Sequence, residues 1–250
     1  MIPLIIDTDV ALGVHHEGRP RDIDDGFAMV EAINSPDIEL LAVTTIFGNG
    51  PLTEVDRVAR EIIALKAVDV PVYSGAACAL GDGDTDTQDN AAVAAIAEIL
   101  QSRRAHIAAI GPLTNIGLLV RRHPEVLSNI DSVIIVAGRT RGNRFYLGAE
   151  GPVRDFNFEN DVAAAELLLT SGVPLVLAGF ELTSQVAVTE TDLQTIAASA
   201  SPTAAYFHEN SLAWCRHWTE TFPVDAGFHP WDSAAISWLK HPQYFATEER

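Results

Sequence analysis

Short β-branched runs alternate with amphipathic stretches from Met1 to Ala178, and this alternation constrains the fold more than any other feature of the chain. Parallel strands need a crossover of about a dozen or more residues, usually a helix that packs back on the sheet with right-handed sense. The runs Pro3–Ile6, Leu40–Ile46, Val70–Ser74, His106–Ile110, Ser132–Val136 and Pro174–Ala178 read as six such strands. Between them Val55, Val58, Ala59, Ile62 and Ile63, then Val93, Ile96 and Leu100, recur at helical spacing and predict faces that cover the sheet. Another helix is predicted over Asp161–Ser171, stopped by Gly172. From Thr191 onward the pattern is helical only, with Phe207, Trp214 and Trp218 on roughly one face. The expected architecture is a single α/β domain over residues 1–250, with a mostly parallel central sheet flanked by helices and a helical C-terminal part.

Charge narrows the partners. Acidic residues outnumber basic ones 34 to 16, a formal charge of -18, which opposes nucleic acid and anionic membrane surfaces as partners. The start MIPLIIDTD has no basic opening and no small-residue cleavage site, so no secretion signal is expected. No apolar run reaches the length of a membrane span. Cys78 and Cys215, the only cysteines, lack zinc or redox spacing, and a soluble, cytoplasmic protein is expected.

In an open parallel sheet, ligands bind beyond the carboxyl ends of the strands. Unusual polar residues collect in those loops: Asp7-Thr8-Asp9, Gly48-Asn49-Gly50, Gly111 to Asn115, Gly138 to Asn157 and His229 to Asp232. Asp7 and Asp9 end one strand while Asp24 and Asp25 open the next helix, so four carboxylates should share one loop's reach. Unpaired they repel, and a hard cation such as Ca²⁺ or Mg²⁺ is what such a cluster suits. The plainer reading is capping: Asp24 or Asp25 for a helix Gly26–Asn34, and Asp232 for Ser233–Lys240.

The stretches IIDTDV and DIDDGFAMVEAINSPDIELLAVTTIFGNG resemble the opening of the nucleoside hydrolases, with its two aspartate pairs and Gly-Asn loop. AAIGPLTNIGLL, DFNFENDVAAAELLL and PWDSAAIS are similar to three later segments of that family, in the same order. The resemblance implies a single-domain, Rossmann-like nucleoside hydrolase fold, assembled as a homodimer or homotetramer. It also implies a Ca²⁺ site made by Asp9, Asp25, the Ile110 carbonyl and Asp232, at which water attacks the anomeric carbon of a ribonucleoside. Asp9 would be the general base, with Asp7 behind the ligands. Asp24, Asn49, Asn143, Asp155 and Asn157 match positions that hold sugar hydroxyls.

Three departures from the family pattern bear on the leaving base. The insertion ALGVHHEGRPRDI between the aspartate pairs carries His15 and His16, read either as a solvated loop or as assistants to the departing base. Trp231 stands before Asp232 where many relatives have histidine; this is similar to the purine-preferring branch, in which a tryptophan stacks on the base, and it places Trp231 among the catalytic candidates. His229 is the other proton donor considered there. The loop after the third strand, GAACALGDGDTDTQDN, lacks the family's second wall for the base, which Phe207, His208, Trp214, His217 or Trp218 could replace if they are not core.

Other classes compete. LIIDTDVAL and GDGDTD also fit pieces of a haloacid dehalogenase-like phosphatase, but in the wrong order around the lysine. Asp82, Asp84 and Asp86 begin an EF-hand spacing that fails at Thr87 and Val93. A nucleoside-binding homologue that has lost hydrolysis is the remaining alternative. The preferred expectation is a ribonucleoside hydrolase slightly favouring purines.

Overall fold

The computed structural model describes residues 1–82, 90–144, 153–199 and 201–249. Asp84, Asp86 and Thr87 of the acidic loop therefore lie outside the described residues. Six parallel strands form one sheet: β1 (Ile2–Thr8), β2 (Ile38–Thr45), β3 (Val72–Ser74), β4 (Ala105–Ala109), β5 (Ile130–Ile135) and β6 (Leu175–Leu177). Their order is β3-β2-β1-β4-β5-β6, so successive crossovers run outward one way from β1 and then the other way from β4. The reversal opens a crevice at the carboxyl ends of β1 and β4, where ligands bind in such sheets.

All six predicted strands are present, with shifted ends. The largest gain is at β1, where Asp7 and Thr8 stay in the ladder opposite Thr44 and Thr45. Ladder pairing thus carries Asp7 into the sheet although aspartate has low strand propensity.

Ten helices surround the sheet among the described residues: α1 (Asp24–Asn34), α2 (Leu52–Lys66), α3 (Ala91–Ser102), α4 (Thr114–Arg122), α5 (Phe156–Glu159), α6 (Val162–Leu169), α7 (Phe180–Thr183), α8 (Glu190–Ala197), α9 (Pro202–Thr221) and α10 (Ser233–Lys240). Because alternate strand residues face opposite ways, Leu4, Ile6, Val43, Ala108 and Ile134 join a core with α1, α2, α9 and α10. Ile5, Ala42, Ile107, Val133 and Ile135 join a second core with α3, α4 and α6. The helix predicted over Asp161–Ser171 is shorter, with Asp161 as its cap accepting the Ala164 N–H at 2.9 Å. The insertion after Asp9 is not a plain loop: His15–His16 pairs antiparallel with Arg19–Pro20 around Glu17 and Gly18, both at positive φ.

One buried side chain fastens the strand ends. Asn115, fully buried in the first turn of α4, donates to Asp7 Oδ1 at 2.8 Å and to the Thr45 carbonyl at 3.0 Å. Its Oδ1 accepts from the Ala76 N–H at 2.9 Å and from Asn90 Nδ2 at 3.1 Å. Replacing it by alanine removes these bonds to the Thr45 carbonyl and the Ala76 N–H in a dry interior and leaves Asp7 Oδ1 with Thr44 alone. Asn115→Ala is therefore expected to cost about 2–4 kcal/mol, read as a lowered midpoint in urea unfolding with an unchanged slope.

Candidate active site

Five aspartates converge beyond β1. Asp9 leaves the end of β1, Asp22 precedes α1, Asp24 and Asp25 occupy its first turn, and Asp232 precedes α10. Packing of α10 on α1 closes the set. Asp9, Asp24, Asp25 and Asp232 are 1%, 3%, 1% and 4% exposed, which no isolated carboxylate would tolerate. The capping reading fails at each of the last three: α1 has Ile23 at its N-cap and no side-chain cap bond, and Asp232, although it sits at the N-cap of α10, caps nothing with its side chain.

The bonds these groups do make hold them in place. Asp232 N–H donates to Asp24 Oδ2 at 3.0 Å, so the backbone before α10 is tied to the start of α1. Thr8 Oγ1 donates to Asp25 Oδ1 at 2.5 Å, and the Asp9 N–H reaches the same oxygen at 3.2 Å. Asn49 N–H donates to Asp9 Oδ2 at 2.7 Å. Gly48 lets that loop come so near, since a Cβ there would lie 2.0 Å from the same oxygen. Asp7 lies behind, its Oδ1 accepting from Thr44 at 2.6 Å and from Asn115.

Burial and like charge push these acids up. Desolvation raises Asp25 to about 7, with the Asp24 carboxylate adding to it and the Thr8 bond opposing. Desolvation raises Asp7 to about 6 despite its bonds from Thr44 and Asn115. Asp9, Asp22 and Asp232 are also held well above the usual carboxylate range, by burial first and then by their acidic neighbours. Asp25 Oδ2 has no hydrogen-bond partner among the described residues, and one oxygen each from Asp24, Asp25 and Asp232 lies within 4.8 Å of the others. Oxygens on opposite sides of one Ca²⁺ stand about 5 Å apart, so this donor set fits a hard divalent cation. Asp9 is bonded to Asp25 beside that trio but is not one of it, whereas Asp24, expected on the sugar, is. Asp22 was not singled out from the sequence, where it stands before the Asp24-Asp25 pair with no signal of its own.

Above the acids opens a cleft of about 310 Å³, within the range of small-molecule sites. Asp9, Asp24, Asp25, Asn49, Ile110, Asp155, Asn157, Trp231 and Asp232 all line it. Asn157 Nδ2 donates to the Ile110 carbonyl at 3.1 Å and the Val136 carbonyl at 2.9 Å, clamping the ends of β4 and β5. A carbonyl has two lone pairs, so Ile110 retains one. Asp155 is mostly spent on the backbone, accepting from Phe158 N–H at 3.1 Å and Gly138 N–H at 2.7 Å. Asn143 is not brought to the cleft; it is exposed and donates to Glu181 Oε1 at 2.8 Å.

The leaving-group candidates also separate. Trp231 lines the cleft, packed edge-to-face on Trp218 at 5.2 Å. His15, His16 and His229 do not line it, although Arg19, Pro20 and Arg21 of the same insertion do. His229 Nδ1 instead meets the Val186 carbonyl at 2.7 Å, and its Nε2 lies 3.6 Å from Asp225. Of the late-helix aromatics, Phe207 is core, while Trp214, His217 and Trp218 reach the cleft.

Fold and site together define an α/β protein with a switch-point cleft, acidic at the floor and aromatic on one wall. The inosine-uridine preferring nucleoside hydrolase family matches residues 4–250, and the chain belongs to that family of hydrolases acting on N-glycosyl compounds. It is 30% identical over 275 residues to the pyrimidine-specific ribonucleoside hydrolase RihA of Salmonella typhimurium, spanning 100% of this chain and 83% of that one. A purine-preferring ribonucleoside hydrolase from Gardnerella vaginalis has TM-score 0.85 at 21% identity, over 98% of this chain and 82% of that one. An inosine-uridine preferring nucleoside hydrolase from Bacillus anthracis has TM-score 0.75 at 14% identity, over 97% and 83%. These two likenesses carry the fold alone. Family membership sets aside the phosphatase reading of the acidic motifs.

Proposed function

We propose that residues 1–250 act as one catalytic domain, a Ca²⁺-dependent ribonucleoside hydrolase working in the cytoplasm as a homodimer or homotetramer and slightly favouring purine ribonucleosides. The observation that carries this reading is the cluster of buried, uncapped carboxylates at the sheet's switch point, roofed by a cleft with an aromatic wall. Asp9, Asp25, Asp232 and the free lone pair of the Ile110 carbonyl would hold the ion, with Asp24 in the same reach. Bound there, a cation would offset the carboxylates' repulsion and make a water at the site more acidic.

The chain's own groups do the rest. Asp9 takes the proton of the attacking water, a role suited to a carboxylate that lines the cleft and is held in place by the Asn49 N–H. As the C1′–N bond lengthens, positive charge spreads over the sugar, and the acidic floor stabilises it. Asn49 offers its side-chain amide and Asn157 its amide oxygen to the ribose hydroxyls, and Asp7, fixed by Thr44 and Asn115, keeps the end of β1 in register. Trp214, Trp218 and Trp231 provide an apolar wall of the extent that a bicyclic base fills.

A pyrimidine preference is the second reading, favoured by the similarity to RihA. One experiment addresses both: inosine, guanosine, uridine, cytidine and 2′-deoxyinosine are offered to the purified protein, and reducing sugar is measured. Ribose release from inosine and guanosine above uridine and cytidine is expected, with 2′-deoxyinosine slower by about tenfold or more, the loss expected when a polar site loses its hydroxyl. The reverse order between bases favours the second reading. Binding of inosine with no ribose released would overturn the catalytic reading altogether.

A further inference from the structure

Helix α9 turns Trp214, His217, Trp218 and Thr221 to the cleft, the i, i+3, i+4, i+7 stripe of a single helical face. His217 is the one histidine lining the cleft among the described residues. It is half-buried, flanked by the Trp214 ring at 5.8 Å, and its ring nitrogens meet no hydrogen-bond partner among those residues. His229, nearer in sequence to the acidic cluster, is held by Val186 on one nitrogen and faces Asp225 with the other. Asp225 is itself engaged, accepting from Trp218 Nε1 at 3.0 Å. His15 and His16 are carried by the hairpin and do not line the cleft. The cleft therefore has acids at its floor and an imidazole on its aromatic wall, the two ends a glycosidic cleavage needs.

We propose that His217 is the acid that protonates the departing base, an inference that rests on the hydrolase reading above. The C1′–N bond breaks with its electron pair leaving on the base, and His217 gives a proton to a ring nitrogen of that base. The water oxygen bonds to C1′, and its proton passes to Asp9. Solvent then returns a proton to His217 and removes one from Asp9, so charge and atoms balance over the cycle. Trp214 and Trp218, on the same stripe, flank the base while the proton moves.

The test uses a leaving group that needs no proton. His217→Gln and His217→Phe are compared with the unaltered protein on inosine, on uridine and on p-nitrophenyl β-D-ribofuranoside, whose phenolate departs as a stable anion. Turnover of the nucleosides is expected to fall about 10²- to 10⁴-fold, while that of the nitrophenyl riboside stays within about threefold. Thermal melts accompany each variant, and the riboside rate itself reports that the folded site survives. Equal losses on all three substrates, or no loss on the nucleosides, overturn the role of His217. An unaltered protein inactive on every substrate overturns the hydrolase reading instead, and the proposal with it.

Discussion

Asp9→Asn is expected to lower turnover of every accepted ribonucleoside by about 10²- to 10⁴-fold, the range lost when a positioned general base is removed. The change keeps the shape of the side chain. Its amide oxygen can still take the Asn49 N–H that now lies 2.7 Å from Asp9 Oδ2, so the loop around Gly48 keeps its anchor. It also deletes one charge from a group of mutually repelling acids, since Asp25 and Asp24 both push Asp9 upward. The metal-stripped variant should thus melt no lower than the unaltered protein, and a rise is expected. Ribose release measured beside a thermal melt separates the two effects. Less than a tenfold loss in turnover would remove Asp9 from the role of base.

Stripping divalent ions is the second large effect. EDTA should reduce ribose release to background, and Ca²⁺ should restore it. The same treatment exposes a pH signature. Asp25 is raised to about 7 and Asp7 to about 6 in the folded chain, whereas unfolded aspartate titrates near 3.9. Between pH 4 and 7 the folded state therefore binds more protons than the unfolded one, and stability falls as pH rises through that window. Every tenfold gap in proton affinity between the two states is worth about 1.4 kcal/mol, which moves the melting temperature of a chain of this size by roughly 3–6 °C. In EDTA the melting temperature should be higher at pH 5.5 than at 7.5. Added Ca²⁺ competes with protons for the same oxygens, so it should raise the melting temperature at pH 7.5 and do little at 5.5. Asp25→Asn should flatten the EDTA profile; an unchanged slope in that variant would count against a buried Asp25 that holds its proton toward neutral pH.

The strands were readable because parallel strands are covered on both faces and so appear as near-continuous apolar runs. Position along the chain then put the aspartates at strand ends and helix starts, which is most of the site. Side-chain partners could not be read that way. Nothing in the sequence told that Asn115 would bridge Asp7, Thr45 and Ala76, because that bond set exists only once three strand ends meet. His229 stands three residues from Asp232 yet turns to Val186, and Asn143 turns to Glu181, each choice made by a neighbour more than 35 residues away. The hairpin at His15–Pro20 has only two residues per strand, too few for any alternation to register.

The bond from Asp232 N–H to Asp24 Oδ2 joins positions 208 residues apart. During synthesis the sheet's first strands can leave the ribosome and pair long before the last of the clustered aspartates exists. Contacts of such separation are also among the slowest to form. A nascent or prematurely terminated chain therefore lacks both Asp232 and the α10 side chains that complete one face of the core, so on the proposed reading activity belongs only to molecules whose translation has run past α10.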